Sequence, residues 1–163
     1  MSKTIIVDYG VGNVFSMQNG VLKVGGEPLL TSDPDEVRKA DRVIMPGVGA
    51  FKAGMDALKQ NGLDEAVLEF AATGKPLMEV CLGMQMMLSR SEEFGVHNGL
   101  DLIPGVVAAI PKENYEGVSH RIPHIGWSGA SRPEGTDWNG TLMEGIEEGT
   151  TFYFVHSFAA QPE

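Results

Sequence analysis

KPLMEVCLGMQMML, residues Lys75–Leu88, holds the only cysteine of the chain. Leu77–Val80 is apolar apart from Glu79, as in a buried strand. Gly83 follows Cys81 by two residues, and an apolar pattern near helical spacing comes next. Cys81 therefore stands where a strand turns into a helix. Two readings fit. In the first, a strained turn lifts the thiol to the top of a parallel sheet as a nucleophile. The N–H of Leu82 is then the first donor to an oxyanion, and the helix N-terminus favours thiolate. In the second, Cys81 is a small buried hydrophobe, as free cysteines often are.

Outward from this stretch, strands alternate with helices. Thr4–Asp8, TIIVD, is a short β-rich run that ends in the glycine loop YGVGN. Val14, Met17, Val21 and Leu22 follow near helical spacing, and Gly25-Gly26 closes that helix. EPLLTS predicts a strand. Asp33 is an N-cap candidate with proline at the first helical position. DRVIMPGVGAF predicts a strand running into a Pro-Gly-Val-Gly turn. GLDEAVLEFAATG predicts a helix ending at Gly74. This alternation implies an α/β fold with a mostly parallel sheet. After about Ser91, glycines and turns multiply. GVVAAI and TTFYFVHSF predict strands with no helix between them, added in meandering or antiparallel fashion. The 163 residues suit a single domain, 1–163, with no linker and no repeat.

Composition narrows the function classes. Apolar residues make up 42% and the formal net charge is −10, without the basic footprint of a nucleic-acid binder. No apolar run is long enough to span a bilayer, and the N-terminal apolar stretch is too short for a signal peptide. The expected location is the cytoplasm. One cysteine with His97, His120, His124 and His156 gives no metal-ligand spacing, so neither metal nor cofactor is expected.

Each glycine loop has a plain and a functional reading. In YGVGN the dinucleotide fingerprint fails, because Phe15 stands where its last glycine belongs and the acidic ribose contact is missing. A tight strand-to-helix turn fits better. In PGVGAF, Pro46–Phe51, the glycines permit unusual backbone angles that can aim N–H groups at an oxyanion. In YFVHSF, Tyr153–Phe158, His156 is either a general base or an interior histidine with both ring nitrogens satisfied.

Taken together, IIVDYGVGN, VIMPGVGAF, CLGMQ, GLDLIPG, PHIGW and YFVHSF resemble the class I glutamine amidotransferases in type and order. More narrowly, they resemble the glutaminase subunit of imidazole glycerol phosphate synthase, from Ile5 to Phe158. The resemblance implies hydrolysis of glutamine through a cysteine thioester. The ammonia would pass to a (β/α)₈-barrel synthase partner in histidine biosynthesis. Cys81 would be the nucleophile. Gly47, Val48, Gly49 and Leu82 would form the oxyanion hole. Gln85, Ser157 and Phe158 would hold the amino-acid end of glutamine. Asn13, His124 and Trp127 would face the synthase in a heterodimer.

Two departures from the family pattern bear on activity. The family's histidine and glutamate lie in an HPE segment well beyond YFVHS, and the present sequence ends at AAQPE. Gln161-Pro162-Glu163 is expected to be the linker after the strand, which makes the chain a C-terminally incomplete domain. His156 is then not the base. A missing general base slows each step that needs one by about 10²–10⁴-fold, so weak or absent hydrolysis is expected. An exposed sheet edge and self-association are expected with it. The second departure is Glu79, where the family has the glycine of GxCLG. A carboxylate there opposes a thiolate two residues on. Two alternatives stay open: a non-catalytic amidotransferase-like domain that binds a partner, and a paralogue serving another pathway such as surface-sugar biosynthesis.

Overall fold

A computed structural model describes residues 3–113 and 116–163. The chain forms two compact units, Met1–Ala109 with Ala159–Glu163, and Ile110–Phe158. The first unit is built on a four-stranded sheet of β1 (Thr4–Val7), β2 (Pro28–Thr31), β3 (Arg42–Gly47) and β4 (Leu77–Cys81). Its order is β2-β1-β3-β4, and every pairing is parallel. Helices α1 (Val14–Lys23), α2 (Pro34–Arg38), α3 (Phe51–Gln60), α4 (Leu63–Ala72) and α5 (Leu82–Met86) connect the strands or follow them. Parallel strands require such crossovers, and β1, inside the sheet, is covered on both faces. Ile5, Ile6 and Val7 of β1 are fully buried, as are Phe51, Leu58, Leu63, Val67 and Phe70 on the helices.

The helix boundaries follow local chemistry. Asp33 accepts from the N–H of Asp35 at 2.8 Å and Pro34 opens α2, as the sequence predicts. Helix α3 has no side-chain cap of its own at Ala50. Its first N–H, that of Phe51, donates instead to Oε2 of Glu93 at 2.6 Å. The helix after Cys81 is shorter than the apolar pattern suggests and ends at Met86. The carbonyls of Met86 and Met87 accept from the N–H groups of Leu100, Leu102 and Ile103, and Leu88 begins a strand instead.

That strand, β5 (Leu88–Ser91), lies in a second sheet with β6 (His97–Asn98), β7 (Ile103–Ala109) and β10 (Phe158–Pro162), in the order β10-β7-β5-β6. The β5–β7 pair is parallel and the β5–β6 pair antiparallel. The second unit carries an antiparallel ribbon of β8 (His124–Gly129) and β9 (Thr151–His156). TTFYFVHSF is thus not one strand, because it is interrupted at Ser157. The expected linker at Gln161-Pro162-Glu163 is corrected as well: β10 runs through Pro162 at the edge of its sheet. An edge position tolerates a proline, which has no N–H to offer the ladder. Among the described residues no helix is long and apolar enough to cross a membrane.

Candidate active site

Cys81 ends β4 and precedes the first residue of α5, with φ 57° and ψ −115°. An L-residue rarely adopts such angles, and they cost of order 1–3 kcal/mol. The thiol is exposed. The buried-core reading of Cys81 therefore falls, and the elbow reading has its geometry. Gly83 is required for packing, since a Cβ there would lie 2.1 Å from the carbonyl oxygen of Met45. Gly83→Ala must push α5 off β3. It is expected to cost about 3 kcal/mol or more, read as a lower urea midpoint with the slope unchanged.

The PGVG loop lies beside this turn. Gly47 pairs with Cys81 across the β3–β4 ladder. A Cβ on Gly47 would meet Tyr9 Oη at 2.6 Å and the N of Gly83 at 2.8 Å, so only glycine fits. Val48 is half exposed, and Gly49 has φ 108°. The first glycine loop is close by, because a Cβ on Gly12 would come within 3.3 Å of the Pro46 carbonyl oxygen. Asn13 caps α1, its Oδ1 accepting from the N–H of Ser16 at 3.1 Å. Gln85 lies on α5, one turn past Cys81. The first unit thus brings Cys81, Leu82, Gln85 and the Pro46–Gly49 loop to the end of adjacent parallel strands. Glu93 carries no signal in the sequence, yet it holds the far end of that loop by accepting from the Phe51 N–H.

Glu79 sits two residues before Cys81 on β4, opposite Met45. Successive strand residues alternate faces, so Glu79 shares a sheet face with Cys81's position. Both its carboxyl oxygens are buried without a hydrogen-bond partner among the described residues. Burial pushes this carboxyl up to about 8. At neutral pH it is mostly the neutral acid, so the like-charge opposition expected from sequence is largely withheld. Tyr9 is buried, and its Oη donates to the Pro46 carbonyl at 2.7 Å. Burial first, then Glu79 and Cys81, hold this phenol well above its ordinary range.

In the second unit, His124 and His156 pair across the ribbon. His124 Nδ1 lies 3.2 Å from His156 Nε2, and His124 Nε2 lies 3.3 Å from Ser128 Oγ. His156 Nδ1 lies 3.0 Å from the Phe158 carbonyl oxygen. Both ring nitrogens of His156 are therefore engaged, on a half-buried ring. Trp127 is 70% exposed and packs edge-on against Tyr153. Ser157 takes the N–H of Ile110 on its carbonyl at 3.0 Å. No group of three or more metal-ligating side chains occurs among the described residues.

An exposed cysteine on a strained strand-to-helix turn, beside a glycine loop on a parallel sheet, defines a class of nucleophilic α/β enzymes. The comparisons narrow it. Residues 21–122 match the family model of the CobB/CobQ-like glutamine amidotransferase domain. Imidazole glycerol phosphate synthase subunit HisH 1 of Legionella pneumophila (strain Paris) is 48% identical over 163 residues, covering 99% of this chain and 76% of the relative. The HisH subunit of Syntrophotalea carbinolica is 41% identical over 162 residues, covering 98% and 76%. Among solved structures, a glutamine amidotransferase superposes with a TM-score of 0.66 at 14% identity, covering 93% of this chain and 70% of that one. PurLQS from Thermotoga maritima gives 0.57 at 17%, covering 99% and 70%, and both bear on the fold alone. The chain belongs to the class I glutamine amidotransferase family, alongside the HisH subunits of imidazole glycerol phosphate synthase.

Proposed function

We propose that this chain hydrolyses the side-chain amide of glutamine through Cys81 and hands the ammonia to a barrel synthase subunit in histidine biosynthesis. The observation that carries this is Cys81 itself: exposed, at φ 57° and ψ −115°, and opposite Gly47 at the end of β4. In the first step the thiolate attacks the amide carbon, and the carbonyl electrons move onto oxygen. The N–H of Leu82 and the loop of Gly47, Val48 and Gly49 stabilise that oxyanion. Collapse breaks the C–N bond, and the nitrogen leaves as ammonia after taking the proton that the thiol gave up. Water then attacks the glutamyl thioester, releasing glutamate and restoring the thiol.

Gln85, one turn past Cys81 on α5, holds the amino-acid end of glutamine. Asn13, His124 and Trp127 face the synthase. The exposed apolar side chains of Ile125, Trp127, Tyr153 and Val155 on the ribbon support a partner there. Both compact units are parts of one amidotransferase domain, since the matches to the HisH relatives run through both.

A glutamine-shaped electrophile tests the reading. Its label is expected on Cys81, with free glutamine protecting the thiol in a saturable way. A Cys81 that reacts with small thiol reagents but ignores the glutamine mimic would favour a non-catalytic partner-binding domain.

A further inference from the structure

We infer that Tyr9 is a positioning residue for the oxyanion loop: its buried phenol fixes the last peptide of β3 and so aims the N–H groups of Val48 and Gly49 at the side of Cys81. This rests on the reading of Cys81 as a glutamine-directed nucleophile.

The need for such a residue follows from the sheet. Pairing between β1 and β3 stops at Ile6 opposite Ile44, while β3 continues to Gly47. Beyond Ile44 only β4 accompanies it as a strand, up to Gly47 opposite Cys81. Pro46 has no N–H to donate. On the side that β1 has left, its carbonyl is taken by Tyr9 Oη at 2.7 Å. In a trans peptide the C=O and the next N–H point in opposite directions. Holding the Pro46 carbonyl toward Tyr9 therefore turns the Gly47 N–H toward β4 and sets the direction in which the loop departs.

The loop has little else to hold it. Val48 is 52% exposed, and a Cβ on Gly49 would find nothing within 4 Å. Its aim depends on its two ends. Tyr9 anchors the entry at Pro46, and Glu93 anchors the exit at the Phe51 N–H. Tyr9 is itself fixed. It is 3% exposed, the N–H before it, of Asp8, donates to the Thr31 carbonyl at 2.9 Å, and the N–H after it, of Gly10, donates to Asp8 Oδ1 at 3.1 Å. A phenol held well above its ordinary range remains an O–H donor at any pH at which the enzyme works.

A plainer role would be to satisfy one buried carbonyl and nothing more. Two electrophiles separate the roles in Tyr9→Phe. Iodoacetamide alkylates the thiolate by displacing iodide and develops no oxyanion. A chloroketone analogue of glutamine is attacked at its carbonyl, so that its oxygen enters the oxyanion site. Tyr9→Phe is expected to slow the glutamine-protectable chloroketone reaction by about 10–100-fold. The iodoacetamide rate at Cys81 should stay within about twofold, since it follows thiolate content and access. If Tyr9→Phe gives no cooperative melt, Tyr9→Met fills the space without a donor and is expected to show the same selective loss. Equal slowing of both reagents, or of neither, overturns the inference. A parent chain whose chloroketone reaction glutamine does not protect overturns the reading of Cys81 itself, a failure distinct from that of Tyr9.

Discussion

Cys81→Gly is expected to make the protein more stable and chemically dead. At φ 57° and ψ −115° the cysteine occupies a backbone region that glycine adopts without steric cost. Relief of that strain is worth about 1–3 kcal/mol, less roughly 0.5–1 kcal/mol for the greater freedom of glycine in the unfolded chain. The side chain is exposed, so little packing is lost with it. Thermal melting should therefore move up, or at worst stay level. Glutamine-protectable labelling and glutamate formation should fall by on the order of 10³-fold or more, as when a covalent nucleophile is removed. The opposite outcome, a large loss of stability, would mean that the turn is not strained and that Cys81 is held by packing. A stable elbow without the thiol is what a site that stores strain for exposure requires, and a core cysteine would not behave so.

Glu79→Gln is expected to change how stability depends on pH. The carboxyl is raised from 4.5 to about 8 in the folded chain, and burial is the cause. Because the folded state holds the proton more tightly than the unfolded one, the sign is fixed. Below 4.5 both states are protonated and there is no penalty. Between 4.5 and about 8 the unfolded chain ionises first, and stability falls by about 1.4 kcal/mol per pH unit. Above about 8 the whole penalty, on the order of 4–5 kcal/mol, is present. Glu79→Gln carries no titrating group at this position. The parent's stability relative to the variant should therefore fall across that window and level off above it. Chemical denaturation of both proteins from pH 4 to 9 measures this. A difference that does not vary with pH would show that Glu79 has a water or ion partner in solution and titrates normally.

The same carboxyl shows what the sequence could and could not reveal about the site. Glu79 stands out in the sequence as a departure from GxCLG, and a negative charge beside Cys81 followed from that. Whether the charge exists at neutral pH depends on burial, which a sequence does not display. Cys81 illustrates the converse. The strand, the glycine two residues on and the apolar pattern all marked a turn, and the turn is there with the thiol exposed. The parallel sheet was legible because each strand was a short β-rich run between helical patterns. The start of helix α3 carries no cap in its own sequence, because its first N–H is taken by Glu93, 42 residues away. The end of β10, Gln161-Pro162, reads as a linker because glutamine and proline carry no strand pattern, and its place beside β7 supplies what they lack. Tyr9 reads as part of a turn, and only the 2.7 Å contact with Pro46 ties it to the PGVG loop.

The measurement that bears most directly on the mechanism is to incubate the chain with glutamine, quench in acid and map covalent mass on its peptides. The mechanism predicts a glutamyl group on the peptide that contains Cys81, released by hydroxylamine as a thioester must be, and absent from Cys81→Gly. A glutamyl group on another residue, or glutamate formed by Cys81→Gly at the parent's rate, would contradict it.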